Sequence, residues 1–297
     1  MQADTVERVF AELRQRFSRA RIETADLDAR LILQRSLKMS HVDFIARPGL
    51  PVTARSRQAM LELAARRESG EPISRLFGER EFYGFGFSVT RHTFDPRPDT
   101  ETLVEAALDA AGTRLSGPKH LRILELGTGT GAVVVTLLAL LPHAEGTAVD
   151  ICPHAIAVAQ QNAERHKVAE RLSFQRGWWF ERLSGTFDMI VANPPYLRTG
   201  DISGLGSEVA NHDPRLSLDG GSDGLAAYRQ IGTTASRFMS AGGLLLFEIG
   251  CGQKDAVVDL MSVHGYRLPE AFTGTRRDLH GIERVVAFEM LAAGLAD

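Results

Sequence analysis

Apolar residues in the first 70 positions recur every three or four residues, which is the spacing of amphipathic helices. The first predicted helix carries its apolar face on Val6, Val9, Phe10, Leu13 and Phe17. Further predicted helices contain Leu27, Leu31 and Leu33, then Asp43 to Ile45, then Met60, Leu61, Leu63 and Ala64, with Thr53 as the N-cap of the last. The pattern therefore predicts a small helical bundle over residues 1–75.

Residues 76–99 follow a different pattern, which is rich in glycine and aromatic residues. The run Phe82-Tyr83-Gly84-Phe85-Gly86-Phe87 predicts two short strands that form a β-hairpin. The run Asp95-Pro96-Arg97-Pro98-Asp99-Thr100-Glu101 then interrupts regular structure and begins a helix over Leu103 to Ala111, capped by Asp99 or Thr100. We expect a hairpin that links two domains, with aromatic residues that either pack as core or cover an active site.

Residues 100–297 alternate between apolar runs and helical patterns, which is typical of an α/β domain. The predicted strands are Arg122 to Leu126, Gly146 to Val149, Leu172 to Gln175, Phe187 to Ala192, Leu244 to Ile249, Tyr266 to Pro269, and Glu283 to Phe288. The predicted helices between them are Ala132 to Leu141, His154 to His166, Leu225 to Ser240, and Lys254 to His264. These elements predict a mostly parallel, seven-stranded sheet that ends in an antiparallel hairpin.

The composition is that of an ordinary globular protein of two domains. Of the 297 residues, 44% are hydrophobic and 24% are charged, and no apolar run approaches the roughly 20 residues that cross a bilayer. The N-terminal residues lack the apolar region of a secretory signal, so we expect a cytoplasmic protein. Cys152 and Cys251 are far apart and lack metal-ligand spacing, so we expect two reduced thiols and no metal.

Charge is distributed unevenly along the chain. Residues 1–75 hold 14 Arg and Lys against 10 Asp and Glu, whereas the remainder holds 20 against 27 and has a net charge of −7. The mildly basic front is compatible with contact to nucleic acid or to a ribosomal partner, although dispersed arginines are also typical of solvated helix faces. The acidic remainder disfavours an enzyme that tracks a phosphate backbone.

A glycine-rich turn directly follows the first predicted strand of the sheet. It reads Gly127-Thr128-Gly129-Thr130-Gly131, preceded by Leu124-Glu125-Leu126. Asp150 follows nineteen residues later, at the end of the second strand, where its carboxylate can accept hydrogen bonds from ribose hydroxyls. Both a dinucleotide site and an S-adenosylmethionine site have this architecture, and the turn alone does not distinguish them.

The sequence Asn193-Pro194-Pro195-Tyr196 follows the apolar strand that ends at Ala192. Two prolines fix the backbone of the turn and remove two backbone N–H donors, so we expect the carbonyls of the turn to stay free. Asn193 and Pro194 then offer two oxygen acceptors to a planar NH2 group, and Tyr196 offers a ring face for stacking. Methyl transfer to an amide or amino nitrogen uses such a group, whereas a dinucleotide enzyme does not.

At these residues the chain resembles the HemK-type N(5)-glutamine methyltransferases, which modify the glutamine of the Gly-Gly-Gln motif in peptide chain release factors. The resemblance also includes Glu71-Pro72-Ile73, Glu81-Phe82-Tyr83-Gly84, Pro96-Arg97-Pro98-Asp99-Thr100-Glu101, and Asp219-Gly220-Gly221-Ser222-Asp223-Gly224-Leu225. It implies an N-terminal helical domain (1–75) that helps bind the release factor. It also implies a hairpin linker (76–99) and a Rossmann-like class I methyltransferase domain (100–297).

The same resemblance implies roles for individual residues. The cofactor S-adenosylmethionine, and its product S-adenosylhomocysteine, would contact Gly127, Thr128, Gly129, Thr130, Gly131, Asp150, Trp179 and Asn193. The glutamine would be held by Asn193, Pro194, Pro195 and Tyr196, with Asn193, Pro194 and Tyr196 as the catalytic residues. Many members have an acidic residue where this chain has Trp178, so we expect the adenine to be held by stacking.

Other functions remain compatible with parts of the pattern. Asn-Pro-Pro-Tyr is also similar to the motif of DNA and RNA amino-methyltransferases and of enzymes that methylate a glutamine of a ribosomal protein. A noncatalytic protein that binds a translation factor and a nicotinamide dehydrogenase are further alternatives. We expect a monomer that binds release factors, without direct contact to nucleic acid or membrane, and we assign no acid or base role to Glu208 or to His212-Asp213-Pro214.

Overall fold

The computed structural model of the protein describes residues 4–113, 120–269 and 274–290. Its chain forms two compact units, Met1–Gly78 with Gly206–His212, and Glu79–Leu205 with Asp213–Asp297. The sequence-based domain limits at residues 75 and 99 stay predictions. Parts of those domains, residues 1–3, 114–119, 270–273 and 291–297, lie outside the described residues.

The first unit is helical. It consists of α1 (Val6–Arg19), α2 (Ala25–Leu37), α3 (His41–Ala46), α4 (Ala54–Glu68), α5 (Ile73–Phe77) and the short α9 (Ser207–Ala210). The Thr53 side chain accepts a hydrogen bond from the Ser56 N–H, so the predicted N-cap is confirmed. The predicted apolar face of α1 is also confirmed, because Val6, Val9, Leu13 and Phe17 are buried.

A buried arginine joins three segments of the helical unit. Arg67 Nε, on α4, donates to Asp28 Oδ2 at 2.7 Å, and both side chains are at most 6% exposed. The Arg67 Nη2 atom donates to Glu208 on α9. This pairing explains why residues 206–212 belong to the helical unit, and it gives Glu208 a structural role.

The second unit begins with the predicted hairpin. Strands β1 (Glu79–Phe82) and β2 (Phe85–Ser88) pair antiparallel, with Phe82 opposite Phe85. The turn residues Tyr83 and Gly84 both have positive φ, at 52° and 77°, which is the geometry of a two-residue hairpin turn. Phe82 and Phe87 are buried and meet edge to face, so these aromatic residues pack as core.

The described residues of this unit also form a sheet of eight strands. Its strands are β3 (Leu121–Leu126), β4 (Ala144–Asp150), β5 (Leu172–Arg176), β6 (Phe187–Ala192), β7 (Met239–Glu248), β8 (Tyr266–Arg267), β9 (Thr275–Arg277) and β10 (Glu283–Met290). Their order is β5-β4-β3-β6-β7-β10-β8, with β9 beside β10. The strands β3 to β7 run parallel and β10 runs antiparallel to its neighbours, as the sequence predicts.

Two details of the sheet differ from the prediction. The helix predicted to reach Ser240 ends at Ala235, and β7 begins at Met239 rather than Leu244. A register irregularity opposite Phe187 and a φ of 76° at Gly242 explain the difference, since this Gly-rich start has no strand pattern. The additional strand β9 contains two arginines among three residues, and its sequence has no apolar alternation.

Helices cover both faces of the sheet, and they are α6 (Glu101–Thr113), α7 (Ala132–Leu140), α8 (Pro153–Arg165), α10 (Ala226–Ala235) and α11 (Lys254–Val263). Neighbouring strand residues enter opposite cores, since Ile123 packs with the residues of α6 and α7 while Leu124 packs with those of α10 and α11. In the described part of the chain, none of the helices is long and apolar enough for a membrane span.

Candidate active site

Four strand ends meet at one edge of the sheet. Leu126, the last residue of β3, is in register with Val149 on β4 and with Ala192 on β6. Ala192 is in turn in register with Phe247 on β7. The residues that follow these positions therefore lie side by side, and they are Gly127, Asp150, Asn193 and Glu248. This is the edge at which open α/β sheets bind ligands.

The glycine turn between β3 and α7 requires glycine for its backbone conformation. Gly127, Gly129 and Gly131 have φ values of 70°, 55° and 77°, which other residues rarely adopt. A Cβ atom on Gly131 would lie 3.1 Å from the Cβ of Ala159 on α8, so this glycine also permits close packing. At Gly129 no atom of the described residues lies within 4 Å of that position, which leaves space for a ligand beside the backbone.

A buried carboxyl group accepts a hydrogen bond from the glycine turn. Glu125 is 4% exposed, and the Thr128 hydroxyl donates a hydrogen bond to it. Burial raises the pKa of Glu125 to about 8, against the lowering effect of the hydrogen bond from Thr128. Glu125 thus acts on the conformation of the turn.

Asp150 is oriented by backbone groups on both sides. Its Oδ2 accepts the Gly129 N–H at 2.9 Å, and its Oδ1 accepts the Cys152 N–H at 2.8 Å. Burial raises the pKa of Asp150, and these backbone hydrogen bonds act to lower it. Each carboxylate oxygen has a second lone pair, so both can still accept a hydrogen bond from a ligand hydroxyl.

Trp178 and Trp179 share one hydrogen-bond acceptor, and Trp179 lies beside the glycine turn. The indole N–H groups of Trp178 and Trp179 donate to Oε1 of Gln230 at 2.9 and 2.7 Å. The Trp179 ring lies 3.6 Å from the position that a Cβ of Gly127 would occupy. The predicted site residue Trp179 is therefore next to the turn, whereas Gln230, one of several polar residues of α10, has no distinguishing signal in the sequence.

Asn193 is held by one end of its side-chain amide. Its Nδ2 donates to Oγ1 of Thr100 at 3.1 Å, while its Oδ1 has no hydrogen-bond partner among the described residues. The carbonyl of Pro194 likewise accepts no hydrogen bond within the described chain. Two unused acceptors therefore follow each other at the end of β6, as the proline turn predicts.

The motif Asp219–Gly224 packs against the backbone of Asn193–Tyr196. Leu197 and Asp219 form a parallel bridge, with the Gly220 N–H donating to the Leu197 carbonyl at 2.8 Å. A Cβ atom on Gly220 would lie 2.7 Å from the Pro195 carbonyl oxygen, so only glycine allows this approach. The glycines of this motif thus hold the proline turn in place.

Glu248 lies behind the turn and was missed by sequence reasoning. It is 2% exposed, and its Oε1 is 3.4 Å from the Tyr196 hydroxyl, which donates to it. Burial raises the pKa of Glu248 to about 7, while hydrogen bonds from Thr100 and Tyr196 and the positive charge of Arg284 act to lower it. A charged residue at the end of an apolar strand was the signal that the sequence offered.

Asp213 forms an ion pair with Arg97 of the predicted linker, residues 76–99. Arg97 Nη2 donates to Asp213 Oδ2 at 2.7 Å, and the Asp95 N–H donates to Asp213 Oδ1 at 3.2 Å. Arg284 likewise pairs with Asp99 at 2.7 Å and with Asp278 at 2.8 Å. These charges hold the segment before α6, which carries Thr100, against the end of the sheet.

Comparison with known proteins identifies relatives over nearly the whole chain. Residues 8–78 match the family described as the PrmC N-terminal domain, and residues 118–248 match a methyltransferase domain. The release factor glutamine methyltransferase of Agrobacterium fabrum is 41% identical over 283 residues, or 94% of this chain and 96% of that protein. The protein of the same name from Rhodospirillum rubrum is 40% identical over 275 residues, or 93% and 82%.

Proposed function

This chain belongs to the release factor glutamine methyltransferases, S-adenosylmethionine-dependent enzymes that methylate a glutamine of release factors, and we propose that Asn193 and Pro194 hold that glutamine. The glutamine we propose is that of the Gly-Gly-Gln motif, and the methylated atom is its side-chain amide nitrogen. The observation that carries the proposal is the pair of unused acceptors, Asn193 Oδ1 and the Pro194 carbonyl.

Two adjacent acceptors suit a primary amide because its nitrogen carries two hydrogens. The lone pair of an amide nitrogen is delocalised into the carbonyl, which makes the nitrogen a weak nucleophile. Hydrogen bonds from both N–H groups to Asn193 and Pro194 favour localisation of that lone pair and fix its direction. Pro195 and Tyr196 complete the substrate contacts, with the Tyr196 ring packed beside Gly250 at the end of β7.

The residues around the glycine turn fit S-adenosylmethionine. The open space at Gly129 admits a ligand close to the backbone, Asp150 retains acceptor capacity for ribose hydroxyls, and Trp179 offers a ring face for adenine. Thr128 and Thr130 are buried within the same turn, and Asn193 adjoins it through the register of β3 and β6. When bound, this cofactor supplies a methyl group that is electrophilic because it is attached to a positively charged sulfur.

Trp178 occupies the position where the resemblance implies an acidic residue. Its indole N–H donates to Gln230, and its ring meets that of Trp179 at 62° with centroids 5.5 Å apart. No carboxylate of this position can therefore contact the adenine amino group. We propose that this chain holds adenine mainly by stacking on Trp179.

We propose that the helical residues 1–75 help dock the release factor, that residues 76–99 link the domains and that residues 100–297 catalyse methylation. The excess of four positive charges in residues 1–75 supports docking to a partner that works on the ribosome. The net charge of −7 in the remainder supports a protein substrate over nucleic acid. A monomeric state and a cytoplasmic location belong to the same proposal.

Transfer of labelled methyl groups tests the substrate. Purified protein is incubated with methyl-labelled S-adenosylmethionine and a release factor, or with the same factor whose Gly-Gly-Gln glutamine is changed to asparagine. We expect label in the first factor and none in the second. Labelling of a ribosomal protein or of nucleic acid, without labelling of the release factor, would overturn the proposal.

A further inference from the structure

Asn193, Thr100 and Glu248 form a chain of polar groups behind the substrate acceptors. Thr100 Oγ1 accepts the Asn193 Nδ2 hydrogen at 3.1 Å, and Thr100 is 4% exposed. The Thr100 hydroxyl adjoins the Glu248 carboxylate, whose buried Oε2 accepts no hydrogen bond from the described residues and is open to the Thr100 hydrogen. The three residues come from the segment before α6 and from the ends of β6 and β7.

This series of hydrogen bonds has a direction because each group has fixed donors and acceptors. An ionised carboxylate only accepts, so a hydrogen bond between Thr100 and Glu248 uses the single hydroxyl hydrogen of Thr100. The oxygen of Thr100 can then only accept from Asn193, which requires the NH2 end of the Asn193 amide to face inward. The carbonyl end, Oδ1, must consequently face the substrate.

We propose that Thr100 and Glu248 are positioning residues that set which end of the Asn193 side-chain amide is presented to the substrate glutamine. The inference rests on the proposed role of Asn193. A reversed amide would present two hydrogens to the substrate NH2 group, which has no lone pair available in its planar form. Substrate orientation therefore depends on two residues that do not touch the substrate.

The direction of these hydrogen bonds also depends on the protonation state of Glu248. The charged and titratable groups that face Glu248 in the described residues are Arg284, Asp99 and the hydroxyls of Tyr196 and Tyr228. A protonated carboxyl can donate to Thr100, and the hydroxyl is then free to donate to Asn193 Oδ1, which reverses the amide. Because the pKa of Glu248 is raised to about 7, the ionised form that supports activity is lost as pH falls through about 7.

The test compares Thr100→Val with Thr100→Ser in the full-length enzyme. Thr100→Val removes the hydroxyl at nearly constant volume, and we expect kcat to fall about 10²-fold, the usual result of a misoriented group. Thr100→Ser should retain kcat within a few-fold, and both variants should bind S-adenosylhomocysteine as the wild type does. Thr102→Val, at a buried threonine of α6 that forms no hydrogen bond with Asn193 in the described residues, is the matched control.

Glu248→Gln provides an independent measurement. Glutamine has no titratable proton and can either accept from Thr100 or donate to it, so we expect a lower kcat and a flat profile between pH 6 and about 8, where wild-type kcat rises. The double variant with Thr100→Val should lose no more activity than either single variant, because both substitutions interrupt the same series of hydrogen bonds.

Three outcomes would overturn this inference while wild-type enzyme methylates the release factor. They are full kcat in Thr100→Val, equal loss of cofactor binding and kcat, and additive losses in the double variant. Absence of methylation by the wild type would instead contradict the proposed function itself.

Discussion

The side-chain Nδ2 of Asn162 donates a hydrogen bond to the carbonyl of Thr130 at 2.9 Å, and this bond ties the glycine turn to α8. The same amide also bonds both backbone groups of Ser88 at the end of β2. Asn162 is fully buried. One side chain therefore satisfies three backbone groups of the turn and the hairpin.

Replacement of Asn162 by leucine is expected to destabilise the protein. Three backbone groups lose their partner, and an unsatisfied buried group costs about 1–3 kcal/mol. We predict that the free energy of unfolding falls by about 3 kcal/mol and that S-adenosylhomocysteine binds more weakly, because Thr130 belongs to the glycine turn. Denaturant unfolding and calorimetry measure both quantities.

Gln160→Ala, at an exposed site on the same helix, is the control and should change stability by less than about 0.5 kcal/mol. Unchanged unfolding of Asn162→Leu would show that the three hydrogen bonds are replaced by other groups.

Sequence patterns predicted the parts of the site that depend on local chemistry. The glycine turn needs residues that tolerate positive φ, and the free Pro194 carbonyl follows from the two prolines. Asp150 could be placed because it ends a strand at a known distance from Gly131. Each of these features depends on a few consecutive residues.

The remaining parts depend on contacts between distant segments. Gln230 accepts two indole hydrogens from residues about 50 positions earlier, and Thr100 meets Asn193 across 93 positions. The start of β7 was misassigned because a backbone irregularity, rather than side-chain alternation, accommodates Gly242. Without register and tertiary packing, no local pattern distinguishes these residues from solvated ones.

Gln230→Leu is expected to weaken cofactor binding. It removes the shared acceptor of Trp178 and Trp179, so the Trp179 ring loses its fixed position beside the glycine turn. We predict a Kd for S-adenosylhomocysteine that is about tenfold higher, which corresponds to about 1.4 kcal/mol. Titration with tryptophan fluorescence measures it.

The control is Thr233→Ala, at an exposed residue one turn later on α10. Equal cofactor affinity in Gln230→Leu and wild type would mean that the tryptophan pair is positioned by packing alone.

Gly220→Ala is expected to impair catalysis more than cofactor binding. The new Cβ would lie 2.7 Å from the Pro195 carbonyl oxygen and 2.9 Å from the Tyr196 Cα, so the proline turn must shift. We predict a kcat about 10²-fold lower with little change in S-adenosylhomocysteine affinity, since a displacement of about 1 Å misaligns the reacting group.

Gly200→Ala is the matched control, because within the described part of the chain nothing lies within 4 Å of the position that its new Cβ would take. Wild-type kcat in Gly220→Ala would indicate that the turn moves without consequence for the substrate amide.

The most direct test of the account measures kcat and cofactor affinity of Asn193→Ala together. If the Asn193 carbonyl holds the substrate amide, kcat for release factor methylation should fall about 10²- to 10³-fold, as when one orienting hydrogen bond of an active site is removed. The Kd for S-adenosylhomocysteine should stay within several-fold of the wild-type value. A parallel loss of cofactor affinity and turnover would contradict the account and show that Asn193 has a structural role.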